Sequence, residues 1–260
     1  MIARLWPILG ICLLGIDASS ETRPRIAIII DDLGYQMEAG HRSINLPGPV
    51  ACAILPSTPR ATKLAEAAFA SGKDVLLHLP LEPVSKDSQS DPGGIMLDMS
   101  REQFANTFSA DLESVPHAIG VNSHRGSMLT RHPGHMGWLM EELQTHGELI
   151  FVDSYTTHKS VALQLARERG VPSIKRDVFL DPDRLPDTVE REFARLKDLA
   201  RKNGAAVGIG HPYPSTLALL EREIPMLSEE GIELVSISEL VSLMDKDNMK
   251  AVVQNEGQTR

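Results

Sequence analysis

The chain has 260 residues, with 26 Lys and Arg against 35 Asp and Glu, a net charge of −9 at pH 7, and only 4% aromatic residues. That length can bury a large core and accommodates one or two domains, among them a single α/β barrel. The acidic balance and scarce aromatics argue against a nucleic-acid partner, which needs clustered cations and stacking platforms, and leave neutral sugars and amides admissible as substrates.

The first stretch, "MIARLWPILGICLLGIDASS", carries one cation, Arg4, then an apolar run from Leu5 to Ile16, then the small residues Ala18, Ser19 and Ser20. This order predicts a secretory signal peptide over residues 1–24, or an uncleaved N-terminal anchor, and so an exported, periplasmic or extracellular domain. The run falls short of the ~20 apolar residues of a spanning helix. Cys12 follows Ile11 where a lipidation site would want a small residue. Once the segment is removed, Cys52 is the sole cysteine, so no internal disulfide can form; in the apolar "VACAIL" it reads as a buried, inert thiol.

From Arg25 onward, short β-branched runs alternate with helical patterns. The expected strands are "RIAIII", "VACAIL", "DVLLHL", "AIGVNS", "ELIFVD", "PSIKRD", "AAVGIG" and "IELVSI". Among the helical segments, Ser57 is an expected cap for the first, and Ser100 with Gln103 forms a capping box at the second. Gly72, Gly170 and Gly204 are expected helix stops. Residues 25–245 thus form one domain, followed by a polar tail over 246–260.

Repeated strand–helix alternation implies parallel strands with helices outside them, as an open doubly wound sheet or a closed barrel. Polar residues fall at nearly every strand end: Asp31 and Asp32, His78, Asn122 and His124, Asp153, and His211. A (β/α) barrel builds its site there, whereas an open sheet concentrates it at one switch point, so the pattern favours a barrel, distorted or seven-stranded. The long stretch from Pro80 to Ser100, with Pro92-Gly93-Gly94, reads as a lid or groove wall rather than solvated padding.

Adjacent carboxylates in "IIIDDLG" need a positive partner, either Lys or Arg or a metal. Asp32, His78 and His124 supply a carboxylate and two imidazoles, a catalytic-zinc ligand set, and leave Asp31 free as general base. His132 and His135 are the second candidates for a metal. His41, His117, His146 and His158 read as ordinary polar residues.

Taken together, "IAIIIDDLGY", "LLHLPLEP", "GVNSHRGSMLT", "FVDSYT" and "IGIGHPYP" resemble the divergent polysaccharide deacetylase family, distant relatives of the NodB-type deacetylases, from about Arg25 to Asp245. The resemblance implies a NodB-like barrel, a divalent metal, most plausibly Zn²⁺, and hydrolysis of acetyl groups from N-acetylated sugars. It makes Asp31 the base and Asp32 a ligand. Asp153 matches the aspartate that orients base or arginine, Arg125 the arginine, and His211 the histidine that protonates the leaving group. Glu82, Asn122 and Tyr213 are expected substrate contacts. The NodB-type pattern has two histidines four apart where this chain has His78 and Glu82, so His124 replaces the second imidazole from the next strand. The alternative function is a non-catalytic glycan- or partner-binding module on the same fold.

Overall fold

The computed structural model describes residues 23–85, 91–147 and 149–245. The N-terminal leader expected over 1–24 and the polar tail therefore fall largely outside the described residues. Nine strands form one all-parallel sheet: β1 (Arg25–Leu33), β2 (Ala51–Ile54), β3 (Val75–Leu81), β4 (Ala118–Arg125), β5 (Ile150–Asp153), β6 (Ser173–Lys175), β7 (Val178–Phe179), β8 (Ala205–Gly210) and β9 (Glu233–Leu234). Their order is β6-β5-β4-β3-β2-β1-β8-β7, with β9 paired to β1 beside Arg25 and Ile26. Because β6 and β7 are two parts of one stretch, 173–179, the sheet curls until its ends meet through the covalent chain. Arg176 N–H bonds back to Asp153 O and Asp177 N–H forward to Val207 O, so the crossing itself bridges β5 and β8. The fold is a distorted parallel (β/α) barrel.

Helices α1 (Met37–Ile44), α2 (Ala61–Ala70), α3 (Arg101–Ser114), α4 (Pro133–Thr145), α5 (Ala162–Glu168), α6 (Pro186–Asn203) and α7 (Pro214–Glu223) lie outside the sheet. No helix among the described residues is long and apolar enough to cross a membrane. Ser100 and Gln103 form the expected capping box on α3. Ser57 does not cap α2: the helix begins after Arg60, and Ser57, at φ +54°, instead donates its N–H to Ser114 Oγ. Gly72, Gly170 and Gly204 follow α2, α5 and α6 with positive φ, as the sequence predicts.

Alternation along each strand separates two apolar layers. Ile26, Ile28 and Ile30 face the helices in the main core. Ala27, Ile29, Ala51, Ala53, Leu76, Val152, Ile174, Val207 and Ile209 face inward and fill the barrel. Val235, Ile237, Leu240 and Val241, which follow β9, pack against that inner set and plug its N-terminal end. Each fully buried aliphatic side chain contributes roughly 1.5–3 kcal/mol over exposure. The C-terminal end carries the polar side chains instead. Cys52 lies in the outer layer, and burial pushes its thiol up to about 12, so it is chemically quiet.

Strand β1 departs from regularity where the site begins. Ile30 pairs with Cys52 and Leu33 with Ile54, three residues of advance against two, and Asp32 stands at φ +58°. This bulge ends at Gly34, φ +131°, where a Cβ would sit 2.1 Å from Thr58 Oγ1, so only glycine fits the turn.

The stretch from Pro80 to Ser100 is partly a fixed strap. Asp91-Pro92-Gly93-Gly94 forms a turn closed by Gly94 N–H on Asp91 O, with Gly93 at φ +74°. Buried Ile95 then bridges to Leu81 at the end of β3. Residues 86–90 lie outside the described residues, so the lid expectation stays untested there. Gly93 packs on Asp111 of α3: a Cβ at residue 93 would stand 2.0 Å from Asp111 Oδ1, and Asp111 Oδ2 is buried without a partner. Burial raises the Asp111 carboxyl to about 8. The native state therefore holds a proton that the unfolded chain releases near pH 4, so this stabilising contribution is complete below about pH 4 and disappears as pH rises through 8. In urea titrations between pH 5 and 9, wild type should lose up to about 1.4 kcal/mol per pH unit relative to Asp111→Asn. Parallel curves for the two proteins would contradict this.

Candidate metal centre

The bulge decides the site's geometry. In a regular strand Asp31 and Asp32 would point to opposite faces. Asp31 follows Ala27 and Ile29 into the barrel, and the left-handed turn at Asp32 brings the second carboxylate round to the same mouth. Next to it, β3 and β4 run in register, His78 opposite Asn122 and Pro80 opposite His124, so His78, Asn122 and His124 rise along neighbouring inward-facing rows.

Asp32, His78 and His124 are the one group of three or more potential ligand side chains found together among the described residues. Asp32 Oδ1 lies 3.3 Å from His78 Nε2 and 3.0 Å from His124 Nδ1, and the two ring nitrogens are 3.1 Å apart. Three ligand atoms bound at about 2.0–2.1 Å in a tetrahedral shell stand about 3.3 Å from one another, so this triangle matches one face of such a shell. Asp32 Oδ1 is buried and has no hydrogen-bond partner, which fits an atom waiting for a cation. The donor set and the orphaned oxygen both suit a divalent metal.

Electrostatics point the same way. Burial opposes ionisation of Asp32, but the close approach of His124 and His78 outweighs it and holds the carboxyl well below its usual range. Burial also disfavours a charged His78, yet Asp31 and Asp32 lift that imidazole to about 9. The cluster attracts positive charge, be it protons or a metal ion.

Asp31 is only 3% exposed, and burial raises its pKa against the lowering influence of His78 and His211. Asn122 Nδ2–H donates to Asp31 Oδ1 at 2.7 Å, and Asn122 Oδ1 accepts from His78 Nδ1 at 2.8 Å. Asn122 therefore fixes the base candidate and leaves the Nε2 lone pair of His78 facing Asp32. With no exposure of its own, Asn122 is a support within the wall rather than the substrate contact expected from sequence.

On the opposite side, His211 Nε2 lies 3.6 Å from Asp32 Oδ2. Its Nδ1–H donates to Asp181 Oδ1 at 2.9 Å, while Asp181 Oδ2 accepts from His211 N–H and Thr216 Oγ1. Burial lowers the His211 pKa, but the hydrogen bond to Asp181 and the charges of Asp31 and Asp32 together outweigh it, leaving it above the ordinary value.

Arg176 was not anticipated by the sequence as a site residue. Its Nε and Nη2 donate to the carbonyls of Ser154 and Tyr155, and it lines the same cavity as Asp31, whose charge offsets the burial cost of the guanidinium. That cavity, about 340 Å³, is also lined by His78, Ser123, His124, Arg125, Ser154, Thr156, Phe179, Ile209 and His211.

Three further expected site residues are engaged as follows. Asp153 faces out of the barrel, accepting from Tyr155 N–H at 2.9 Å and Ser160 Oγ at 2.7 Å, so its carboxylate orders the loop after β5 and does not touch Asp31 or Arg125. Glu82 accepts Leu97 N–H at 2.6 Å and anchors the strap, away from the cavity lining. Tyr213 stacks on His211 with centroids 5.3 Å apart and lies under the Arg184 guanidinium. Arg125 does line the cavity, with Nε 3.3 Å from Asp91 Oδ2. His132 and His135 meet through their Nδ1 atoms at the start of α4 and gather no third ligand among the described residues.

The parallel barrel thus carries Asp31 and the Asp32, His78 and His124 group at its C-terminal mouth. Residues 28–241 match the divergent polysaccharide deacetylase family, and the chain belongs to that family. An uncharacterized protein of Haemophilus influenzae is 38% identical over 221 residues, covering 85% of this chain and 78% of that one. The crystal structure of the uncharacterized protein ATU2773 from Agrobacterium tumefaciens C58 matches with a TM-score of 0.80 at 22% identity, over 85% of this chain and 91% of the other. The catalytic domain of peptidoglycan N-acetylglucosamine deacetylase from Eubacterium rectale matches with a TM-score of 0.53 at 14% identity, over 83% and 89%.

The Asp181–His211 pair generates a direct test. Asp181→Asn removes the carboxylate that favours the imidazolium, so His211 should titrate at lower pH than in wild type when its Cε1–H resonance is followed by NMR. An unchanged titration would show that Asp181 does not set the state of His211.

Proposed function

We propose that this protein is a metal-dependent hydrolase that removes acetyl groups from an N-acetylated polysaccharide outside the cytoplasm. The observation that carries the reading is the buried Asp31 carboxylate, held through Oδ1 by Asn122, beside a three-ligand triangle whose Asp32 Oδ1 lacks a hydrogen-bond partner among the described residues. A buried carboxylate without chemistry to perform is an avoidable electrostatic cost. Membership of the deacetylase family supports the substrate class.

Asp32, His78 and His124 would hold the metal, and a carboxylate with two imidazoles favours Zn²⁺. When bound, the ion polarises the acetyl carbonyl and lowers the pKa of water toward ~7. Asp31 takes the proton of the attacking water on Oδ2, since Oδ1 is occupied by Asn122. Its raised pKa brings it closer to neutrality, which suits a base. Arg176 keeps positive charge near that carboxylate. His211, its Nδ1–H held by Asp181, presents Nε2 to the cavity and returns a proton to the departing amine.

The two adjacent aspartates should fail differently. Asp31→Asn should retain zinc yet lower acetate release from chitin oligomers or peptidoglycan fragments by ~10²–10⁴-fold. Asp32→Asn should lose both zinc and activity. A wild type that binds sugar but releases no acetate from any glycan would instead establish a binding module.

The order of charge, apolar run and small residues over 1–24 supports export by a leader peptide or anchor. Fusing residues 1–24 to a reporter active only after export should yield signal. A silent reporter, with the protein in the cytosolic fraction, would overturn the localisation.

A further inference from the structure

The strap between β3 and α3 reaches the proposed metal centre through one side chain. Asp91 Oδ2 lies 3.2 Å from His124 Nε2 and 3.3 Å from Arg125 Nε. His124 is therefore flanked by carboxylate oxygens on both ring nitrogens, Asp91 at Nε2 and Asp32 at Nδ1. A carboxylate can only accept, so a neutral His124 can satisfy one of them with its single N–H. On Nδ1 the proton would occupy the corner of the ligand triangle; on Nε2 it leaves the Nδ1 lone pair directed at Asp32 Oδ1 and His78 Nε2.

We propose that Asp91 is a positioning residue for the metal centre: by accepting the Nε2–H of His124 it fixes the tautomer in which Nδ1 is the ligand atom. This rests on the metal-site reading above and extends it to a residue outside the barrel strands. The role mirrors that of Asn122, whose Oδ1 accepts from His78 Nδ1 and so leaves Nε2 as that ring's ligand atom. The two histidines coordinate through opposite nitrogens because their supports lie on opposite sides, Asn122 within the barrel and Asp91 above it.

The geometry of the strap fits this task. The Asp91-Pro92-Gly93-Gly94 turn fixes the backbone at residue 91, Ile95 pins the next segment to Leu81, and Glu82 Oε2 holds Leu97 N–H. Asp91 is thus held by its own turn and by two attachments at the end of β3, the strand that supplies His78. Arg125 restrains the same carboxylate oxygen from the other side, so Asp91 is oriented before any ion arrives. Groups of this kind around a ligating histidine typically account for 10–100-fold in metal affinity.

The test is zinc affinity of the full-length, metal-stripped protein, measured by competition with a chromophoric chelator, so activity is not needed. Asp91→Ala should weaken zinc binding 10–100-fold. Asp91→Asn, which keeps an acceptor oxygen, should recover at least half of that loss on a logarithmic scale. In the zinc-loaded protein, ¹⁵N shifts of the His124 ring should report Nε2–H with Nδ1 metal-bound in wild type and lose that single pattern in Asp91→Ala. Equal zinc affinity for wild type and Asp91→Ala overturns the inference, as does Asp91→Asn binding no better than Asp91→Ala. A wild type that binds no zinc at all overturns the metal-site reading itself, a failure distinguishable from the first two. Matching circular dichroism and urea midpoints for the variants assign any loss to the site; if Asp91→Ala unfolds, the Asp91→Asn affinity and its ¹⁵N pattern decide.

Discussion

Everything at the mouth of this barrel depends on two neighbouring carboxylates facing the same point. A β-strand cannot do this while it stays regular, because successive side chains alternate faces. The bulge between Ile30 and Leu33 resolves the conflict by advancing β1 three residues against two on β2, with Asp32 in the left-handed region. Such a conformation costs a non-glycine residue on the order of 1–3 kcal/mol and persists only where surrounding structure enforces it. Here Ile30 is locked on one side by Gly210 of β8 and Cys52 of β2, and Gly34 turns the chain against Thr58 on the other. The strain serves to concentrate negative charge where the sheet also delivers two imidazoles.

That concentration is tolerable because each charge is answered locally. Asn122 donates to Asp31, His78 and His124 crowd Asp32, Arg176 brings a guanidinium toward Asp31, and Asp181 is satisfied by His211 and Thr216. A layer below, small and branched apolar residues fill the interior and exclude water, which strengthens every interaction above them. The apolar floor and the polar mouth are thus one design on alternate residues of the same strands. Moving β1 by one residue in register would exchange the two faces and dismantle both.

The parts of this arrangement visible in the sequence are those carried by long, patterned segments. Six of the expected strands are β1 to β6, and two more fall on β8 and β9, because β-branched runs bounded by turns are a local signal. The ligand candidates were legible because they end such runs. Asp181 was not, since it follows β7, a strand of only two residues with no periodicity to detect. Arg176 was read as strand sequence in "PSIKRD", whereas it occupies the point where the chain leaves β5 for β8, a consequence of barrel closure that no local pattern records. Asp153 shows what a strand-end position leaves open. It ends a strand as the ligand candidates do, but its parity places the carboxylate outside the barrel, where Ser160 and Tyr155 N–H engage it. A strand-end position suggests a site residue; the face decides whether it is one.

The same distinction explains the missing second imidazole. Two histidines four apart in one segment would place the second on the connection after β3, where this chain has Glu82. Here the strand continues through Leu81 in register with Arg125, and Glu82 is committed to holding Leu97 N–H and, through its carbonyl, the N–H groups of Met128 and Leu129. Those bonds tie the strap and the loop after β4 to the end of β3, so position 82 is structural by the time the mouth is built. His124 stands two residues beyond Asn122, on the same face of the adjacent strand, which brings its ring centroid to 4.8 Å from that of His78. Recruitment from a neighbouring strand gives up the fixed offset of a single segment. It gains rigidity, since the relative height of the two rings is then set by the continuous β3–β4 ladder from Leu76 to Leu81. The ligand candidate that such a ladder cannot orient by itself is the ring at its open end, and His124 is where the strap comes down.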